Sequence, residues 1–198
     1  FLAPGAYLTL VAGLPPTGYT GPLPHSGFAL NANGETLSLY NADGTLIDQV
    51  TFGLQIQDTS IGRAGAGLWT LCTPTFGAAN APAARADARG LKINEWLAAT
   101  YTAPDDFVEL YNPTNLPTDI SGTALTDAPG APDRHRLPAL SFIAPYGFTC
   151  LLADGNTAAG ANHLGFNLAA DTGSIALSTD SLELIDAISY GTQRPDVS

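Results

Sequence analysis

Methionine is absent from the 198 residues, lysine occurs once (Lys92), and cysteine occurs twice, as Cys72 and Cys150. With no C-x-x-C pair, the two distant cysteines exclude zinc ribbons and thioredoxin-type redox sites. One disulfide or two buried thiols both remain compatible with them. Basic residues number 7 against 18 acidic ones, a formal charge of −11. That balance offers no basic face to a phosphate backbone, so no nucleic acid is expected among the partners. It is also the wrong sign for an anionic membrane surface, and no apolar run approaches the roughly 18 residues of a membrane span, so no membrane insertion is expected. Long helices are missing for a different reason. The 21 glycines and 15 prolines are spread along the whole chain, and a helix content below about a tenth is expected. The sequence opens on Phe1 rather than methionine, which reads as a processed chain or a piece of a longer one.

What is present is an internal repeat. Phe1-Leu-Ala-Pro4 matches Phe142-Ile-Ala-Pro145, and the apolar runs Tyr7–Ala12 and Phe148–Ala153 follow. His25-Ser-Gly-Phe-Ala-Leu30 matches His163-Leu-Gly-Phe-Asn-Leu168, and Thr36–Leu39 matches Ser174–Leu177. The longest match sets Leu46-Ile-Asp-Gln-Val-Thr-Phe-Gly53 against Leu184-Ile-Asp-Ala-Ile-Ser-Tyr-Gly191, and Asp58–Ser60 faces Asp196–Ser198. One module is written twice.

The repeat is built from strands. Thr36–Leu39 and Leu46–Phe52 alternate apolar and polar residues around Asn41-Ala-Asp-Gly44, a hairpin turn in which glycine supplies positive φ. In the second copy the looser Asp180-Ser-Leu takes its place. Lys92–Leu97, Phe107–Tyr111 and Thr123–Thr126 are further strands, each bounded by turn formers. Short strands so punctuated predict an all-β antiparallel sandwich. Residues 78–90 carry no apolar stripe and read as a linker stiffened by Pro82. The expected domains are therefore 1–77 and 91–198.

Ile93-Asn-Glu95, Asp106-Phe-Val-Glu-Leu-Tyr-Asn112 and Asp119-Ile-Ser-Gly-Thr-Ala-Leu-Thr-Asp127 resemble the opening half of a lamin tail domain. Phe142–Pro145, Gly165–Leu168, Leu184–Asp186 and Tyr190-Gly191 resemble its closing half. Phe107 stands where tryptophan is usual. The resemblance covers nearly the whole chain. It implies immunoglobulin-like β-sandwiches in tandem, of the kind carried by secreted bacterial proteins, and an extracellular or cell-surface location. Residues 91–141 supply one opening half, whereas 1–80 and 142–198 each supply a closing half. The first unit thus lacks its opening strands, and the second lacks its last strand or so. Either preceding residues of a longer chain or a neighbouring chain is expected to provide the strands missing from the first.

Candidate site residues all have structural readings. His25 and His163 precede Gly-Phe-x-Leu, and each is expected to be a hydrogen-bonded ring where a loop meets a strand. Asp48 and Asp186 lie on an apolar strand face and need donors, most simply backbone N–H groups of the neighbouring turn. Trp69 and Trp96 are core anchors. His135 reads as a solvated strand start, and Glu95 and Glu109 as structural carboxylates rather than a glycosidase pair. Gly62, Gly65 and Gly67 lack the Lys-Ser/Thr ending of a phosphate loop and read as a turn. There is no Gly-x-Ser-x-Gly elbow. No cofactor is expected; the loop acids Asp127, Asp133, Asp154 and Asp171 offer at most a structural calcium site. The function that follows is non-catalytic: spacing, adhesion or assembly through protein partners or self-association. Two alternatives are an accessory module of a secreted nuclease or phosphoesterase, and a strand-exchanged filament subunit.

Overall fold

Glycine and proline punctuation leaves only short segments free to pair, and the structure is accordingly a succession of strands. A computed structural model describes residues 2–102 and 105–197. Phe1 and Ser198, at the outer ends of the repeat copies, lie outside the described residues, as do residues 103 and 104. The strands are β1 (Glu35–Tyr40), β2 (Leu46–Phe52), β3 (Ser60–Ala64), β4 (Leu68–Thr73), β5 (Ala81–Pro82), β6 (Lys92–Leu97) and β7 (Phe107–Tyr111). They continue with β8 (Thr118–Asp119), β9 (Ala124–Thr126), β10 (His135–Arg136), β11 (Phe142–Ile143), β12 (Phe148–Leu152), β13 (Gly173–Ser178) and β14 (Leu184–Tyr190). A 3-10 turn at Ala88–Gly90 is the sole helical element among the described residues. The all-β sandwich expected from the sequence is what forms.

The chain folds into two compact units whose boundaries differ from the expected 1–77 and 91–198. One holds the described residues up to Ala32 together with Asp58–Ala83; the other holds Asn33–Gln57 and the described residues from Ala84 onward. Hydrogen bonds explain why 33–57 belongs with the second unit. Gly53 N donates to Ala139 O at 2.9 Å, Phe142 N to Leu54 O at 2.9 Å, and Ala161 N to Asn33 O at 3.0 Å. Leu54 is buried in the second unit's core, and its N–H donates to Ser141 Oγ at 3.1 Å. Gly53 must be glycine here, because a side-chain carbon would overlap Ser141 Oγ. The expected linker is also partly ordered: β5 pairs with β4, and Ala86 bridges Thr118.

In the second unit, β10-β9-β13-β14 form one sheet, β12-β7-β6 another, and β11 pairs with β8. Period-two alternation aims Val108 and Leu110 of β7, Leu151 of β12, Leu125 of β9, and Ile175 and Leu177 of β13 into a common core. Phe166 and Leu164 fill it from a loop. Asn112, at the end of the Asp-Phe-Val-Glu-Leu-Tyr-Asn segment, is fully buried and clamps a turn. Its Nδ2 donates to Leu116 O (2.8 Å) and Ala144 O (2.9 Å), while its Oδ1 accepts from Thr114 N (3.1 Å).

The first unit is sparser. Its sheet is β3-β4-β5, with Leu71 and Cys72 buried. Gly65 and Gly67, at φ of +55° and +85°, turn β3 into β4, as their spacing predicts. Both cysteines are free thiols, Cys72 buried and Cys150 exposed, so the chain has neither the one disulfide nor the two buried thiols expected.

The two repeat hairpins share one turn geometry with different residues. Gly44 sits at φ +85°, and Leu182, its counterpart 138 positions on, is held at φ +65°. The left-handed region costs an L-residue about 1–2 kcal/mol. Leu182→Gly is therefore expected to leave the chain about 1 kcal/mol more stable than Leu182→Ala, which keeps the strain. Denaturant unfolding of the two variants checks the order; equal stabilities would show the turn is unstrained.

Candidate functional site

Alternation makes the β1–β2 hairpin amphipathic. Thr36, Ser38, Gln49 and Thr51 occupy one face, where Thr36 and Thr51 hydroxyls share a hydrogen bond of 2.8 Å and Gln49 Nε2 donates to Ser38 Oγ at 3.0 Å. Leu37, Leu39, Asp48, Val50 and Phe52 occupy the other. The second hairpin, β13–β14, repeats this with Ile175, Leu177, Asp186, Ile188 and Tyr190. Both hairpins pair in the same register: Leu37 faces Val50 as Ile175 faces Ile188. Both carry a bulge at the same place, between Leu39 and Tyr40 and between Leu177 and Ser178. Even the exit is repeated, since Gln55 Nε2 donates to Gly53 O as Gln193 Nε2 donates to Gly191 O.

The surroundings of these matching hairpins differ. Strand β13 is flanked by β14 on one edge and β9 on the other, with Leu177 opposite Leu125. Strands β1 and β2 form a two-stranded sheet by themselves among the described residues. As a result Leu39 is 58% exposed where Leu177 is 0%, and Leu37 is 37% exposed where Ile175 is 0%. An edge of this kind is usually blunted by lysine, proline or an inward charge. The segment Glu35-Thr-Leu-Ser-Leu-Tyr40 has neither lysine nor proline. The charges on its apolar face are Glu35 opposite Phe52 and Asp48 opposite Leu39, the second matched by Asp186 in the paired copy, and its bulge is shared with β13.

The same contrast recurs in the first unit. The run Phe148–Leu152 is β12 because β7 lies beside it. Among the described residues the matching run Tyr7–Val11 has only a bridge from Val11 to His25, the counterpart of the Leu152–His163 bridge. Tyr7, Leu8 and Leu10 are exposed. Both copies carry the apolar run, but a strand needs a neighbour.

The predicted site residues fall at these positions. Asp186 Oδ1 accepts from Ala187 N (3.0 Å) and Oδ2 from Ile93 N (3.1 Å), so its donors lie on its own strand and on β6 rather than on a turn. Asp48 Oδ1 makes the first of these contacts, accepting from Gln49 N at 2.9 Å. His163 Nδ1 meets Asp154 Oδ2 at 2.7 Å. Burial pushes the Asp154 carboxyl up, but the Asn156 N–H and the His163 ring together hold it below its ordinary value. His25 lacks this partner because Gly13 stands where the second copy has Asp154. Its ring instead packs edge-on against Tyr19, with centroids 4.6 Å apart. Trp96 packs on the second core and lies 5.8 Å from Tyr190. Trp69 is half-buried beneath the Arg63 guanidinium, 4.4 Å from its ring centroid. These six residues are distributed over both units: His25 and Trp69 lie in the first, and Asp48, Trp96, His163 and Asp186 in the second.

Other chemistry-bearing side chains are engaged structurally. Glu95, Glu109 and Cys150 form a cross-strand row on β6, β7 and β12, and Asn94 Nδ2 donates to Glu109 Oε1 at 2.7 Å. Burial, then Glu109 and Glu95, push the Cys150 thiol up, away from the reactive thiolate. A cavity of about 450 Å³ is lined by His135, His163, Thr36 and Thr51, among others. His135 is not the solvated residue expected: its Nδ1 accepts from Gly165 N at 3.2 Å, and burial holds its imidazole below the ordinary value. Asp127 is paired with Arg134. Among the described residues no group of three or more His, Cys, Asp or Glu is placed to hold a metal ion.

Compared with known proteins, the chain matches no family model, and no curated protein or solved structure is significantly similar to it.

Replacing Asp186 with Asn sets an amide against backbone donors, and Asp186→Asn should cost about 1–3 kcal/mol of stability by denaturant unfolding. Unchanged stability would mean the Ile93 contact contributes nothing. For His135, the unfolded ring binds a proton more readily than the folded one. Its contribution to stability is therefore present above the unfolded value, about 6.5, and is lost as pH falls through it toward the folded value. The melting temperature should drop between about pH 7 and pH 5, and less so in His135→Asn; an equal drop in both would refute this.

Proposed function

We propose that this chain is a non-catalytic β-sandwich module for assembly with other proteins, serving spacing or adhesion outside the cell or at its surface. The observation that carries the reading is the pair of matched hairpins, one joined along β13 to β9 and the other presenting an apolar face on a free-standing two-stranded sheet. A contiguous apolar strand edge left uncovered is a template for association. The resemblance to a tandem lamin tail domain supports the same reading, since it treats residues 1–60 as the closing half of an immunoglobulin-like sandwich whose opening half is supplied from elsewhere. The acidic, lysine-poor composition suits an extracellular setting.

Sedimentation velocity of the full chain over a hundredfold concentration range tests the reading. Reversible, concentration-dependent association is expected, weakened by Leu39→Asp. A monomer unchanged across the range, for both wild type and variant, would refute it.

A further inference from the structure

The second copy of the repeat supplies a template for what the first copy lacks. Strand β9 lies along β13 with Thr126, Leu125 and Ala124 opposite Ala176, Leu177 and Ser178. Leu125 and Leu177 are both fully buried by this pairing and by the facing sheet, in which Val108 and Leu110 of β7 and the half-buried Ile93 of β6 meet the same core. Subtracting the repeat offset places Ser38, Leu39 and Tyr40 of β1 where Ala176, Leu177 and Ser178 stand. The bulge that β13 makes against β14 between Leu177 and Ser178, at the end of the segment paired with β9, is already built into β1 between Leu39 and Tyr40.

We propose that the β1 edge is a docking site for a partner polypeptide carrying an unpaired opening half. Its chemistry is that of residues 91–126: a strand of small and β-branched residues with one inward leucine to lie against β1, and a second, apolar strand to cover Leu37 and Leu39. The pairing is antiparallel, with the partner's leucine opposite Leu39, and adds a strand to the edge of the β1–β2 sheet. A second copy of this chain reaches the edge only through the weaker pairing of one bare edge with another and is a poor source of the opening half, because its own residues 91–126 are already consumed by β12 and β13. Borrowing them would open one sandwich to close another. The site deepens the assembly reading above and rests on it.

The probe is a synthetic peptide of residues 91–127, titrated into the full chain. Binding is expected with slowed amide exchange at residues 37–40 and with dissociation of any self-associated form, since the peptide caps the same edge. Leu39 is exposed in the free chain, so Leu39→Asp leaves folding intact and should weaken binding at least about tenfold; Leu125→Asp in the peptide should do the same. Binding insensitive to both changes overturns the proposal, as does slowed exchange confined to residues 174–178, which would mean exchange into the second sandwich. If the peptide does not bind while the chain still self-associates, the docking site falls and the assembly reading stands. If the chain neither binds it nor associates, both fall.

Discussion

A β-strand cannot satisfy its own backbone, and nearly everything about this molecule depends on which segments have found a neighbour. Strands β7 and β9 are the two that decide it. The first lies between β6 and β12, the second between β10 and β13, and together they convert the segments from Phe142 onward into a closed sandwich with a continuous core. The apolar run at residues 7–11 and the hairpin at residues 35–52 match segments of that sandwich and have no such neighbours among the described residues. One forms no strand, and the other stands as a hairpin with leucines in solvent. Burial here follows from pairing as much as from hydrophobicity.

Conserving the hairpin's register without conserving its surroundings separates local from non-local information. Turn geometry, cross-strand register and the bulge are all set within about twenty residues, and both copies have them. The core, in contrast, is set by contacts between segments far apart in sequence. That division explains why Leu182 tolerates a left-handed backbone. The turn is closed by Thr179 N donating to Glu183 O and Leu182 N to Thr179 O, at the end of a strand that β9 also pairs, and so holds a residue that Gly44 replaces in the other copy.

Strand positions and the repeat were legible because alternation and punctuation are local signals. Unit membership was not legible. The residues that attach 33–57 to the second unit are Gly53, Leu54 and Ser141, and no periodicity marks a glycine as the one that must approach a serine 88 positions away. Asn112 was similarly hidden: it reads as a turn former, and only the fold reveals that its side chain holds three backbone groups. The histidines show the limit of equivalence, since their matching flanks concealed that one copy has Asp154 and the other Gly13.

The root of the β1–β2 hairpin has a mechanical consequence. Leu54 sits in the core two residues beyond the end of β2, with hydrogen bonds to residues 139–142 on both sides of it. Tension applied at the hairpin tip is carried along β2 into those bonds and that buried leucine, rather than dissipated in a slack tether. A body held by this arm would be coupled stiffly to the second sandwich, so thermal motion of one would be transmitted to the other as a lever is moved by its handle.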